Sequence, residues 1–428
     1  MRDRLYIAMN GELVGHWSKL TNGATEFCYV ESWYQSKHAR SISLSLPLSQ
    51  RVYRSEVVYN FFDNLLPDSD AIRARIQQRF QTTTKSPFDL LSAIGQDCVG
   101  AIQLYSDAPT PIHKIQAIPL TDTEIEYLLK NYQTFPLGMG HSSQEFRISL
   151  AGAQEKTALL YHQDQWKRPI NATPTSHIFK LPIGLVAQNQ LDLSTSCENE
   201  WLCLQILQKL GLIVPKADIA QFGQTKVLII QRFDRRWTTD GEQLLRLPQE
   251  DMCQVFNIAP ARKYENDGGV GILQIMELLK GSSTPQLDRE QFFKAQILFW
   301  LLCAIDGHSK NFSLFLKSGN RYCLTPFYDV ISAYPLIRPR GLQKQKIKMA
   351  MAWYGEKEKH YLWHKIQLRH IFQTASLVGL TQQTVEELLH QIYLNYPKLS
   401  EIKVSHLPDS IVEPILLGIE RQMKKING

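Results

Sequence analysis

An aspartate and an asparagine five positions apart, in Asp306-Gly-His-Ser-Lys-Asn311, are the residues of this chain best suited to chemistry, and a second aspartate follows in Phe327-Tyr-Asp329. An ionised Asp306 can orient a hydroxyl and accept its proton. The Asn311 amide oxygen and the Asp329 carboxylate are hard oxygen donors. They suit Mg²⁺, which takes oxygen ligands and leaves part of its shell to phosphates. A base, an asparagine at D-x-x-x-x-N spacing and a later metal-binding aspartate form the set used for phosphoryl transfer to a hydroxyl. Asp and Asn are also ordinary turn residues, so the pattern has meaning only if the chain brings all three together.

The flanking residues supply a way to do so. Residues 312–316 alternate like a strand, Lys317-Ser-Gly-Asn320 is a turn cluster, and 321–327 returns as a second strand. A hairpin of that length sets its open ends side by side, which predicts Asn311 and Asp329 at one end. The nearly apolar stretch 295–305 leads into the loop. Upstream, Lys180 sits in the apolar strand His177-Ile-Phe-Lys-Leu181, where its charge calls for a partner or an anionic ligand. Glu198 or Glu200, on the helix expected over 198–210, is a candidate partner, Glu200 the better placed. The segment 146–157 places the small residues Ala151, Gly152 and Ala153 where backbone N–H groups can approach phosphates, although it is not a Walker A loop. Gly268, Gly269 and Gly271 form a second glycine-rich turn, which reads equally as the start of a helix.

The elements that must position these groups follow a definite order. The first hundred residues are β-rich. Asn10-Gly11 marks a hairpin, 42–46 alternates as a half-buried strand, Ser55 caps a helix that ends before Pro67, and 70–80 is a further helix. The stretch 107–119 reads as a linker, 226–230 as a buried strand running into Gln231-Arg-Phe-Asp234, and helices dominate after about 246. Val385, Leu388, Leu389, Ile392 and Tyr393 form an apolar stripe after a Thr381 cap. The expected fold is α+β and bilobal, of protein-kinase-like type. It has a β-rich domain over 1–108, a small lobe with the phosphate loop and hinge over 109–245, and a helical catalytic lobe over 246–428.

Composition narrows the class. The 428 residues are 44% hydrophobic and 21% charged, ordinary values for a globular protein of two or three domains. The seven cysteines are scattered and form no C-x-x-C pair, against a zinc site or disulfide framework and for a reducing compartment. The opening Met1-Arg-Asp-Arg-Leu5 has no signal-peptide core, and no apolar run is long enough to span a bilayer, so the expectation is a cytoplasmic protein. The net charge of +6 is mild, but basic residues cluster at 338–348 and 421–425, and Lys365 and Arg369 fall one turn apart on an expected helix. Such clusters are solvated surface or meet phosphates.

Taken together, these segments resemble the HipA family of bacterial toxin–antitoxin modules along the whole chain. The most specific are Ser149-Leu-Ala-Gly-Ala-Gln-Glu-Lys-Thr-Ala158, His177-Ile-Phe-Lys-Leu-Pro-Ile-Gly184, Arg232-Phe-Asp-Arg-Arg-Trp237, Leu247-Pro-Gln-Glu-Asp-Met-Cys253, Asp306-Gly-His-Ser-Lys-Asn-Phe312 and Leu324-Thr-Pro-Phe-Tyr-Asp329. The resemblance implies a serine/threonine kinase using ATP and Mg²⁺. It implies Asp306 as catalytic base and Asn311 and Asp329 as metal ligands. ATP would be bound by Ala151, Gly152, Ala153, Gln154, Glu155, Lys156, Lys180, the hinge Gln231, Arg232 and Phe233, and by His308, Asn311, Tyr328 and Asp329. One member of the family has a glutamate where this chain has Gln231. The resemblance further implies autophosphorylation on Ser149 as an off switch, and an aminoacyl-tRNA synthetase, typically the glutamyl enzyme, as substrate. The implied partners are a HipB-like helix-turn-helix antitoxin and operator DNA, which Lys365 and Arg369 would approach.

Two other classes share parts of this pattern. A kinase-fold enzyme acting on a small molecule or lipid uses the same D-x-x-x-x-N…D set, and is separated by whether phosphate goes to protein. An inactive kinase serving as a DNA-bound corepressor would fail to bind ATP with Mg²⁺.

Overall fold

A computed structural model describes residues 4–109, 114–131, 149–151, 154, 156–186, 191–339 and 341–427. The chain divides into two compact units. One comprises Met1–Leu181, Ala220–Ala261 and Ser313–Tyr322; the other comprises Pro182–Ile219, Arg262–Phe312 and Cys323–Gly428. The two units interleave along the sequence.

The first unit begins with a five-stranded antiparallel sheet in the order Val52–Arg54, Thr25–Tyr29, Glu12–Lys19, Arg4–Met9, Ile102–Tyr105. Asn10 and Gly11 both have positive φ, as a two-residue type I′ turn requires. The helix Glu56–Asp63 buries Val58, Phe61 and Phe62, and Phe62 stacks on Trp17 with ring centroids 3.9 Å apart. Two details depart from expectation. Ser55 precedes that helix at φ 70° without capping it through its side chain. Residues 42–46 form no strand, only a Ser43–Leu46 bridge. Their backbone is instead held from a distance, by Tyr29 Oη donating to the Leu46 carbonyl and accepting from Ile42 N, and by Glu250 accepting from Leu44 N.

A six-stranded sheet follows, in the order Ala217–Phe222, Thr225–Gln231, His177–Lys180, Lys156–His162, Gln165–Pro169, Ala117–Pro119. The last of these lies at the end of the expected linker. Val227 to Ile230 are all buried, the pattern of a strand covered on both faces. The helix Asp122–Lys130 opens with a Thr121/Glu124 capping box and packs Ile125 and Leu129 among Leu159, Phe179, Phe222 and Val227.

The second unit is mainly helical: Ser196–Lys209, Ile272–Leu278, Pro285–Leu301, Leu368–Leu377, Gln382–Asn395 and Asp409–Asn427, with a hairpin of Lys348–Tyr354 and Lys359–Leu362. Pro285–Leu301 is buried on all sides from Phe292 onward, which makes it the central helix of the unit. Thr381 caps Gln382–Asn395 as expected, and Val385, Leu388, Leu389 and Ile392 are buried, but Tyr393 is half exposed and does not join the stripe. Lys365 and Arg369 do not share a helix: Lys365 closes the 3₁₀ turn Trp363–Lys365, and Arg369 lies in Leu368–Leu377. Among the described residues no helix is long and apolar enough to cross a membrane.

Candidate active site

The loop carrying Asp306 is built by the way its helix ends. After Leu301 the chain turns at Cys303, which takes φ 49°, while Ala304 N donates to Phe299 O at 2.8 Å and Cys303 N to Trp300 O at 3.2 Å. This is a Schellman-type ending with cysteine where glycine is usual. Gly307 then passes so close to the Phe299 ring that an added Cβ would lie 2.6 Å from it, so only glycine lets the loop fold back here. His308 N donates to Asp306 O, Asn311 N to His308 O, and Asn311 Nδ2 to Asp306 O at 2.7 Å. Since the amide nitrogen of Asn311 faces that carbonyl, its Oδ1 points the other way, as an oxygen ligand must.

The expected hairpin is present as Ser313–Lys317 and Arg321–Leu324, shorter at its second strand than 321–327. Its ends meet as predicted: Tyr328 Oη donates to Lys310 O at 2.9 Å. Asp329 has φ 59°, a left-handed conformation that Asp tolerates better than most residues. Both Asp306 and Asp329 act electrostatically on His308. Burial nevertheless holds the His308 pKa below its ordinary value, so the ring is neutral at pH 7, and its Nδ1 is buried without a hydrogen-bond partner. Thus Asp306, His308, Asn311, Tyr328 and Asp329 form one cluster in the second unit. The Asp329 carboxylate and the outward Asn311 amide oxygen are hard donors that fit Mg²⁺, which leaves the Asp306 carboxylate for the substrate hydroxyl.

The Tyr264 hydroxyl donates to Asp306 Oδ1, a contact no local motif in the sequence announces, since the two residues are 42 apart. Glu198 and Glu200 lie in the same unit on Ser196–Lys209 and are both buried.

In the first unit, Lys180 pairs with Lys156 across adjacent antiparallel strands. Register partners point to the same face, so two buried lysines stand side by side. Gln154 Nε2 donates to the carbonyl of Leu181, the residue after Lys180, at 2.9 Å. Ala151 is half-buried; Gly152, Ala153 and Glu155 lie outside the described residues. Ser149 is fully buried, with its Oγ donating to Leu65 O at 2.7 Å and its N to Asp97 O at 3.0 Å.

Gln231 ends its strand exposed, and Phe233 packs edge-on to Phe315. The Arg232 side chain is not available to a nucleotide. It is buried among Asp234, Asp97, Thr175 Oγ1 and the Cys98 carbonyl, and its backbone N–H donates to Ser176 O at 2.9 Å, so Arg232 offers a ligand only its carbonyl. Lys365 and Arg369, though on separate elements, line one surface cleft with Lys348, Lys359, His360 and His364.

Comparison with known proteins decides the family. A family model of the HipA-like C-terminal domain matches residues 148–398, and one of the HipA N-terminal domain matches 5–105. The chain belongs to the HipA family of kinases. A Sinorhizobium fredii protein named "Putative kinase Y4mE" is 28% identical over 421 residues, 95% of this chain and 96% of that protein. The serine/threonine-protein kinase toxin HipA of Shewanella oneidensis is 26% identical over 316 residues, 71% of this chain and 69% of that protein. A solved structure of the Shewanella oneidensis HipA, HipB and operator DNA complex matches with a TM-score of 0.80 at 20% identity, over 99% of this chain and 96% of that one. The α+β, kinase-like fold is shared with that HipA chain.

Proposed function

We propose that this HipA-family kinase is an ATP- and Mg²⁺-dependent protein serine/threonine kinase and the toxin of a toxin–antitoxin pair. The observation that carries the chemistry is the cluster in which Asn311 bonds the Asp306 carbonyl and both Asp306 and Asp329 act on His308. Asn311 Oδ1 and Asp329 are the groups that would hold the metal, which when bound neutralises charge on the phosphates. Lys156 and Lys180 face the phosphates with two ammonium groups. Ala151 and Gln154 flank them, and Gln231 to Phe233 meet the adenine through the backbone. Asp306 orients the substrate hydroxyl, whose oxygen forms the new O–P bond as the bond to departing ADP breaks, and its proton passes to Asp306. Catalysis is then mostly positioning and charge neutralisation, as phosphoryl transfer requires.

The substrate in this reading is a protein, an aminoacyl-tRNA synthetase with the glutamyl enzyme first to be tested, and the site of self-modification is Ser149. A charge of about −2 on that oxygen is incompatible with its buried place against Leu65. A HipB-like helix-turn-helix antitoxin and operator DNA are the proposed partners, acting on a cytoplasmic protein. The named assembly of the Shewanella oneidensis HipA supports them, as does the cleft where Lys365 and Arg369 meet. Peptide mass spectrometry after incubation with Mg²⁺-ATP tests the core of this reading. Phosphate on Ser149 in the wild type and none in Asp306→Asn is expected. Phosphate on a metabolite with none on any protein would favour a small-molecule kinase and overturn it.

A further inference from the structure

The glycine-rich turn 262–271 lies against the catalytic loop, in the same unit, and presents the Tyr264 hydroxyl to Asp306 Oδ1. Three hydrogen bonds stitch the two segments together. Ser309 N donates to Lys263 O at 3.1 Å, Val270 N donates to Ser309 Oγ at 3.1 Å, and Ser309 Oγ donates to Val270 O at 3.3 Å. Within the turn, Gly269 N donates to Tyr264 O at 2.8 Å. The glycines serve this packing: a Cβ on Gly269 would lie 2.5 Å from the Lys263 carbonyl oxygen, and one on Gly271 2.4 Å from the Glu265 carboxyl carbon.

The next residue anchors the turn. Glu265 is buried and accepts from Ala352 N at 2.7 Å, Lys359 Nζ at 2.8 Å and Tyr354 Oη at 3.3 Å, all on the hairpin of Lys348–Tyr354 and Lys359–Leu362. The Tyr264 ring meets His308 edge-on at 5.0 Å, so ring and hydroxyl are fixed separately.

We propose that Tyr264 is a positioning residue for phosphoryl transfer, and that the 262–271 turn exists to aim its hydroxyl at Asp306. With Oδ1 engaged by Tyr264, Oδ2 is directed to the substrate hydroxyl. An exposed aspartate otherwise samples several rotamers, and each unproductive one subtracts from the rate. The turn is thereby a support for the base and not a second phosphate loop. This inference rests on the kinase reading above.

The test uses the full chain with Mg²⁺-ATP in steady-state phosphotransfer, comparing wild type, Tyr264→Phe and Asp306→Asn. Tyr264→Phe keeps the ring against His308 and removes only the hydroxyl. Its expected kcat is about ten- to a hundredfold lower, a part of the 10²–10⁴ that a positioned base supplies, with the KM for ATP within about twofold. Wild-type kcat in Tyr264→Phe, or a higher one, overturns the proposal, as does an equal loss appearing wholly in KM. A wild type without any phosphotransfer would instead be a failure of the kinase reading. In that case a thermal-unfolding cycle of Tyr264→Phe, Asp306→Ala and the double variant, in which each single change removes the hydrogen bond, still decides the contact. Non-additive Tm shifts support it, and additive shifts overturn it.

Discussion

The Ser149 hydroxyl donates to the Leu65 carbonyl at 2.7 Å in a place with no solvent exposure, and Leu150 beside it is packed in the same core. A serine in this position cannot receive a phosphate without leaving, and leaving drags Leu150 out with it. Modification and the described conformation are therefore mutually exclusive.

A charged mimic should reproduce that exclusion. Ser149→Asp would place a carboxylate against a carbonyl oxygen and apolar side chains, at several kcal/mol if it stayed buried. The expected outcome is that ATP with Mg²⁺ raises the melting temperature of the wild type and leaves that of Ser149→Asp unmoved. Ser149→Ala orphans the Leu65 carbonyl and should cost about 1–3 kcal/mol, read in urea unfolding. An ATP-dependent rise in Ser149→Asp equal to that of the wild type would show that the loop tolerates the charge in place.

Asp306→Asn changes little that is structural. The amide oxygen can still accept from Tyr264, and the backbone carbonyl that receives Asn311 Nδ2 is untouched. The variant should melt with the wild type, bind Mg²⁺-ATP with similar affinity, and lose phosphotransfer by at least about a hundredfold. Calorimetric titration beside a rate measurement separates these terms. Retained turnover would remove Asp306 from the role of base.

Much of this site was legible in the sequence because its signals are local. The Asp306–Asn311 spacing, the turn residues 317–320 and the Asn10-Gly11 hairpin each encode geometry within a few residues, and the helix expected over 70–80 is Asp70–Phe80. What was not legible depends on distant partners. Tyr264 meets Asp306 only through the fold. Residues 42–46 alternate like a strand, yet Tyr29 and Glu250 fix their backbone in another shape. Arg232 lies in the expected hinge, but its side chain answers to Asp97, 135 positions earlier. Cys303 occupies a left-handed helix ending that composition rules assign to glycine.

Asp97 is the centre of a buried charge network. Its carboxylate accepts from Arg235 Nη2 at 2.9 Å, Arg246 Nε at 3.0 Å and Thr175 Oγ1 at 2.7 Å, and Arg232 Nη1 stands at 3.4 Å. Burial alone would raise its pKa, but Arg235, Arg246 and Arg232 together outweigh burial and hold it well below the usual carboxylate range. A depressed folded pKa means stability present above the unfolded value of about 3.9 and lost as pH falls through the folded one, so this network yields only in strong acid. Asp97→Ala leaves Asp234 to balance the buried Arg232 and Arg235 together, takes away the carboxylate paired with Arg246, and should cost about 3–5 kcal/mol. The loss should be much the same at low and high salt, because the pairs are shielded from ions. Equilibrium urea unfolding at two salt concentrations checks both statements.

Glu250 behaves in the opposite sense. It is fully buried, shares a hydrogen bond with Ser43 Oγ, and accepts from Leu44 N at 2.8 Å. Burial raises its pKa from 4.5 to about 8 despite those two donors, with nearby Asp251 adding to the rise. Around neutral pH the carboxyl is therefore protonated in the folded chain and ionised in the unfolded one. Folding takes up a proton, so stability falls as pH climbs from about 4.5 to about 8 and levels off above it. Glutamine has the shape of the protonated acid: its carbonyl can accept from Leu44 N and its amide can donate to Ser43. Glu250→Gln should thus resemble the wild type near pH 5 and exceed it by a few kcal/mol near pH 9. Melting curves of both proteins across that range check the sign. A difference that stays constant with pH, or that favours the wild type at the alkaline end, would mean that Glu250 folds in its charged form.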